Sequence, residues 1–144
     1  MSPADLDAAR AALRRDLTID IVTLGRRSGE WRTTEIWFMV VDDVVYICGT
    51  PGAGHAEREY WPRDWMANLL GHPEFSFVFK ESTDLAVPAR AEPVTDPEER
   101  RRVFSSPVTG WYRGQTGSID ALVEHAPIVR IEFTGDASAL NGTF

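Results

Sequence analysis

Residues 18–50, TIDIVTLGRRSGEWRTTEIWFMVVDDVVYICGT, decide how this chain folds. TIDIVTL alternates in polarity, and TTEIWFMVV and VVYICGT share its richness in β-branched and aromatic residues, which predicts three strands. GRRSGEWR and the acidic pair Asp42-Asp43 separate them as tight connections. Three strands joined that closely form an antiparallel meander, because parallel neighbours need long crossovers.

Working outward, residues 3–16 place Leu6, Ala9 and Leu13 at helical spacing, so an amphipathic helix precedes the meander. Beyond it, a Pro/Gly turn at PGAG leads to RDWMANLL, where Trp65 and Leu69, and Met66 and Leu70, stand four apart. A short helix over 63–70 is expected, stopped by Gly71 and Pro73. FSFVFK and LAVPARAEPV read as strands, with Pro88 pointing to an edge or a bulge. Thr95-Asp96-Pro97-Glu98 opens a helix with Pro97 at its first position, filled by EERRRVFSS. VTGWYRGQTGS is Gly-rich and aromatic, SIDALVEHA reads as a helix with Ser118 as cap, and IVRIEF reads as a closing strand. The tail, TGDASALNGTF, is expected to be loose.

Six antiparallel strands with helices inserted between them predict an α+β fold built on a small antiparallel split barrel, rather than a parallel sheet with regularly alternating helices. A length of 144 residues fits one domain over 1–144: an N-terminal helix at 1–16, the barrel with its helices at 17–134 and the tail at 135–144.

Composition narrows the function classes. The chain is 43% hydrophobic and 26% charged, with no apolar run long enough to cross a bilayer and no secretory leader pattern, so a cytoplasmic protein without membrane insertion is expected. A net charge of −7 works against general affinity for nucleic acid. The single cysteine, Cys48, lies in a strand and reads as a buried small hydrophobe. His55, His72 and His125 are scattered without an i, i+4 pair or a neighbouring cysteine, so no metal site is expected. The motifs of serine hydrolases, P-loop NTPases and dinucleotide-binding folds are missing.

Against that acidic background, Arg26, Arg27 and Arg32 cluster in one connection together with the small residues Ser28 and Gly29. Guanidinium forks beside accessible backbone N–H groups suit a phosphate or carboxylate, with Thr33 and Thr34 as further hydroxyl donors; the bland alternative is a solvated hairpin tip. Gly49, Thr50, Pro51 and Gly52 form either an ordinary turn or a close approach of backbone to a ligand. Trp65 either packs in the core against Leu69 or offers an aromatic surface.

The set Gly25-Arg26-Arg27-Ser28-Gly29, Arg32-Thr33-Thr34, Gly49, then Trp65-Met66-Ala67-Asn68-Leu69 and His72-Pro73 resembles the split-barrel flavin- and deazaflavin-dependent oxidoreductases. Within them it is most similar to the branch of deazaflavin-dependent nitroreductases and quinone reductases. The resemblance runs from Thr18 to Val94. It implies a six-stranded split barrel, commonly a homodimer, with the deazaflavin coenzyme F-420 in a groove between barrel and short helix. Arg26, Arg27, Ser28, Gly29 and Arg32 would then hold the phosphate and acidic tail, Thr33 and Thr34 would lie near the ribityl chain or ring, and Gly49 and Thr50 would meet the ring system. Trp65 and Asn68, three apart and so on one helix face, would look onto the cofactor.

The stretch AGHAEREYWP departs from the pattern; His55, Arg58, Glu59, Tyr60, Trp61 and Arg63 read as a lid, an extension of the tail site or a longer loop. Trp111 and Tyr112 offer either a substrate wall, with Tyr112 as proton donor, or an aromatic anchor for an irregular segment. The leading expectation is a reductase that passes hydride from reduced coenzyme F-420 to a small unsaturated, quinone-like or nitro substrate. The alternatives are an FMN enzyme resembling pyridoxamine phosphate oxidase, or a non-catalytic module binding a flavin-like ligand or another anion.

Overall fold

The computed structural model describes residues 1–50 and 64–142. Seven strands, β1 (Thr18–Leu24), β2 (Trp31–Trp37), β3 (Met39–Val41), β4 (Val44–Cys48), β5 (Glu74–Phe79), β6 (Leu85–Pro93) and β7 (Ile128–Phe133), form one antiparallel sheet in the order β2-β1-β5-β6-β7-β4-β3. Its two outermost strands, β2 and β3, are consecutive in the chain and separated by Phe38 alone. The sheet therefore curls until its edges meet in a single run of backbone, which is the split-barrel architecture expected from the strand pattern.

The count of seven rather than six comes from TTEIWFMVV, expected as one strand and broken at Phe38. Residues 31–37 pair with β1, and residues 39–41 pair with β4. Changing ladder partner forces a bend, and a large side chain fills its inside: Phe38 is buried edge-on to Phe77 with ring centroids 5.7 Å apart. Its N–H reaches the Leu17 carbonyl at 3.2 Å.

Alternation sets the interior. Ile19 and Ile21 of β1, Phe75, Phe77 and Phe79 of β5, and Val129, Ile131 and Phe133 of β7 all point inward. One end is covered by α1 (Pro3–Arg15), which buries Ala9, Ala12 and Leu13 and is started by a capping box between Ser2 and Asp5. A second apolar cluster lies under α3 (Pro97–Ser105), α4 (Gly110–Thr116) and α5 (Ile119–His125), where Val103, Phe104, Tyr112 and Leu122 meet Tyr46, Cys48 and Ile128. The start of α3 is as the sequence predicts, with Asp96 capping Glu98 N–H and Pro97 in the first turn.

Three local readings change. The Gly-rich segment after Pro107 is helical over Gly110–Thr116, because Tyr112 is drawn into the second cluster and Gly117, at φ 68°, ends the helix in the left-handed region. The tail is not loose over its first part: Gly135–Leu140 is a 3-10 helix that buries Ala137 and Leu140. Pro88 lies in a strand paired on both sides, at the step where β7 gives out; its carbonyl accepts from Thr134 N–H at 3.0 Å, and the residue behaves as if on a local edge.

Helix α3 is riveted to the sheet by charge. Tyr46 donates its hydroxyl to Glu99 at 2.7 Å, and Arg130 Nη1 spans both Glu99 oxygens at 2.9 and 2.8 Å. Burial raises Tyr46, and the bond to Glu99 adds to it, to about 12. Burial alone would raise Glu99 as well, but the Tyr46 hydroxyl and Arg130 outweigh it and hold the carboxyl below the usual value of 4.5. A depressed carboxyl contributes stability that is present above 4.5 and lost as pH falls through the folded-state value. Glu99→Gln is accordingly expected to melt below the wild type at pH 7, with the gap closing as melts are repeated toward pH 3. An equal gap across that range would contradict the assignment.

Candidate functional site

The arginine connection is a closed turn pinned from within. Gly25 N–H donates to the Glu30 carbonyl at 2.7 Å, Gly29 N–H to the Gly25 carbonyl at 2.9 Å, and Glu30 N–H to Ser28 Oγ at 3.2 Å. Gly29 has φ 70°, in the left-handed region that favours glycine. Gly25 is required for space: a Cβ on it would run into Ser28 Oγ and stand 2.9 Å from the Glu30 carbonyl oxygen and 3.4 Å from Arg32 Nε. The Arg32 side chain thus folds across the turn, so that Arg26, Arg27 and Arg32 share one corner of the barrel.

Helix α2 (Asp64–Gly71) closes that corner. Arg26 N–H donates to Asn68 Oδ1 at 2.9 Å, and Asn68 Nδ2 donates to Thr23 Oγ1 at 3.2 Å. The stem of Arg26 passes Gly71, where a Cβ would sit 3.6 Å from its Cγ. His72, just past the helix, meets Trp31 edge-on at 5.8 Å. The guanidinium groups of Arg26, Arg27 and Arg32 are exposed and have no carboxylate partner among the described residues, whereas Arg90, Arg101, Arg102 and Arg130 are each ion-paired. Three exposed cations without a carboxylate partner among the described residues, on a turn held by its own amides, have the donor chemistry that suits an anion.

The expected site residues divide. Arg26, Arg27, Ser28, Gly29, Arg32 and Asn68 come together. Thr34 shares the inner face with Arg32, since both alternate with outward-facing neighbours on β2, while Thr33 falls on the outer face opposite Val22. Gly49 follows β4, tied by its N–H to the Pro127 carbonyl at 2.9 Å, with Thr50 after it. Trp65 packs partly buried against the barrel core, the bland alternative. Tyr112 is 5% exposed and packs in the second core, with its hydroxyl donating to the Cys48 carbonyl at 3.4 Å; Trp111 beside it is the exposed ring, edge-on to Trp37 at 5.5 Å. Cys48 is buried, which pushes its thiol up. Pro51, Gly52, His55, Arg58, Glu59, Tyr60, Trp61 and Arg63 lie outside the described residues. Thr23, Gly25, Trp31 and His72 are members of the corner to which the sequence reading gave no place in the site.

A groove of about 500 Å³ lies elsewhere, beside the turn between β3 and β4, lined by Asp42, Asp43, Glu92, Arg130 and Glu132 among others. Arg130 is satisfied there by Glu92 and Glu99, so the groove does not compete with the arginine turn for an anion. Among the described residues no group of His, Cys, Asp and Glu is placed to hold a metal, and no helix is long and apolar enough to cross a membrane.

Fold and corner together define a split-barrel protein with an arginine-rich turn closed by a short helix. The family model of the F420H(2)-dependent quinone reductases matches residues 11–121, and the chain belongs to that family. It is an F-420-dependent reductase. Among solved structures it is similar to an F-420 reductase (18% identity, 88% of this chain and 93% of that one, TM-score 0.53). It is also similar to a conserved hypothetical protein from Mycobacterium tuberculosis (20%, 90% and 79%, 0.54) and to a candidate pyridoxamine 5'-phosphate oxidase from Listeria innocua (10%, 90% and 94%, 0.63). These likenesses show the fold. No curated protein matches the sequence. Coenzyme F-420 carries a phosphate and an acidic tail, and the donor set of the corner, three exposed guanidinium groups without a carboxylate partner among the described residues, fits them.

Proposed function

We propose that the chain holds coenzyme F-420 by its anionic end at the arginine turn and passes hydride to a small quinone-like, otherwise unsaturated or nitro acceptor. The observation that carries this reading is that Arg26, Arg27 and Arg32 have no carboxylate partner among the described residues, on a turn fixed at four amides. When bound, the coenzyme supplies the hydride. The arginines would bind and orient: their guanidinium forks would hold the phosphate and tail carboxylates and so limit where the ring can lie, with Thr34 on the same face of β2 as Arg32. Helix α2 closes the space behind the turn and keeps water from the Asn68–Thr23 contact. Because the cations act on the tail and not on the reacting ring, they govern affinity more than maximal rate.

The test is a fluorescence titration of the protein with F-420 and, separately, with FMN, repeated on Arg27→Ala. Losing one charge-assisted contact of about 1.5–3 kcal/mol should weaken F-420 binding roughly 10- to 100-fold. Saturable binding of FMN alone would move the protein to the flavin branch, and F-420 affinity unchanged in Arg27→Ala would remove the turn from the site.

A further inference from the structure

Asn68 was expected to touch the cofactor, but both ends of its amide are engaged by protein. Its oxygen accepts the Arg26 N–H at 2.9 Å, and its nitrogen donates to Thr23 Oγ1 at 3.2 Å. Thr23 is fully buried and Asn68 is 8% exposed, so water does not offer either of them an easy substitute partner. Thr23 stands directly opposite Arg32 in the β1–β2 ladder, and Arg26 leads the turn. The chain of contacts Thr23–Asn68–Arg26 thus runs from the strand position facing one cation, through α2, to the backbone of another. The other pinned amides of the turn, those of Gly25, Gly29 and Glu30, bond within it and fix only its internal shape. The Arg26 amide is the one in the turn bonded to a side chain of α2, so it fixes how the turn sits on the barrel.

We infer that Thr23 and Asn68 form a buried strut whose role is to aim the arginine turn, making both of them positioning residues for binding of the cofactor's anionic end rather than ligands of its ring. The inference rests on the reading of that turn as the anion site.

A strut of this kind affects a ligand only through its charged tail, which separates it from a general structural role. The test uses the whole protein with two probes: F-420, and the deazaflavin riboside that lacks the phosphate and everything beyond it. Thr23→Val is isosteric and removes the acceptor, Thr23→Ser keeps it, and Asn68→Ala removes both contacts at a helix position that tolerates alanine. Thr23→Val and Asn68→Ala should each weaken F-420 binding about 5- to 20-fold, leave the tailless probe within about twofold, raise KM for the reduced coenzyme in parallel and leave kcat within about twofold. Thr23→Ser should stay within about twofold of wild type on every measure. Hydrogen exchange at the Arg26 amide should accelerate in Asn68→Ala, which reads the same bond without any ligand, should Thr23→Val fail to fold.

Equal weakening of both probes would overturn the inference, as would F-420 affinity unchanged in both variants while Arg27→Ala loses 10-fold or more. If Arg27→Ala itself changes nothing, the anion reading of the turn falls, and the strut's role in binding falls with it.

Discussion

Arg100→Met is expected to lower the melting temperature by about 10 °C or more. Arg100 reaches from α3 under the end of α5 and donates to four backbone carbonyls: Val123 at 2.5 Å, Val94 at 2.8 Å, Leu122 at 3.2 Å and Ala126 at 2.6 Å. The last carbonyls of a helix have no partner within it, and here one guanidinium serves those of Val123 and the cap residue Ala126, shares the Leu122 carbonyl with the Ala126 N–H, and reaches Val94 just past β6. Burial pulls Arg100 below its usual value, yet it remains charged at any ordinary pH. Methionine keeps the apolar stem and removes every donor, leaving buried carbonyls unsatisfied at a cost on the order of 3–5 kcal/mol in total. Arg100→Lys should recover only part of this, because a single ammonium cannot reproduce the fork. A fall of less than about 3 °C in a calorimetric scan of Arg100→Met would show that the carbonyls find other partners.

The second large effect is expected at Gly25, where one methyl group meets the turn from inside. Gly25→Ala should lose roughly 1–3 kcal/mol of stability through overpacking and weaken F-420 binding at least about 10-fold, since the arginines sit on the backbone that must move. Two of the obstructing atoms differ in how far they can yield: Ser28 Oγ is a side-chain end, while the Glu30 oxygen is main chain. Gly25→Ala combined with Ser28→Gly should therefore regain part of the stability. Urea denaturation and cofactor titration of the single and double variants measure both; full affinity in Gly25→Ala would mean that the turn shifts without disturbing its cations.

Strand positions were legible because alternation and β-branched content repeat in six segments, and the helix start at Asp96-Pro97 was legible because caps are local chemistry. The break at Phe38 was not, since nothing in TTEIWFMVV distinguishes residues pairing with β1 from those pairing with β4; partner choice is decided by the closing of the sheet. Helix α4 was hidden by its glycines at 110 and 114, and forms because Tyr112 finds a core. Of the candidate site, the arginine turn could be read from charge and glycine placement. Thr23 could have been noticed as well: Ile19, Ile21 and Thr23 are the inward positions of TIDIVTL, and a hydroxyl at an inward position needs a partner. What the sequence did not carry was that Asn68 supplies it.

The run through Phe38 also bears on how the molecule reaches its native form. The two hairpins that flank it, β1–β2 and β3–β4, are short-range and can each nucleate early, at little loop-closure entropy. Because they share one continuous stretch of backbone, edge-to-edge recognition is not needed to complete the circle at that point; the slow step is left to the distant pairings of β1 with β5 and β4 with β7. Cleaving the chain at Phe38 would let the two edge strands, β2 and β3, part from one another, and a nicked molecule would be more prone to pair with its neighbours through those edges.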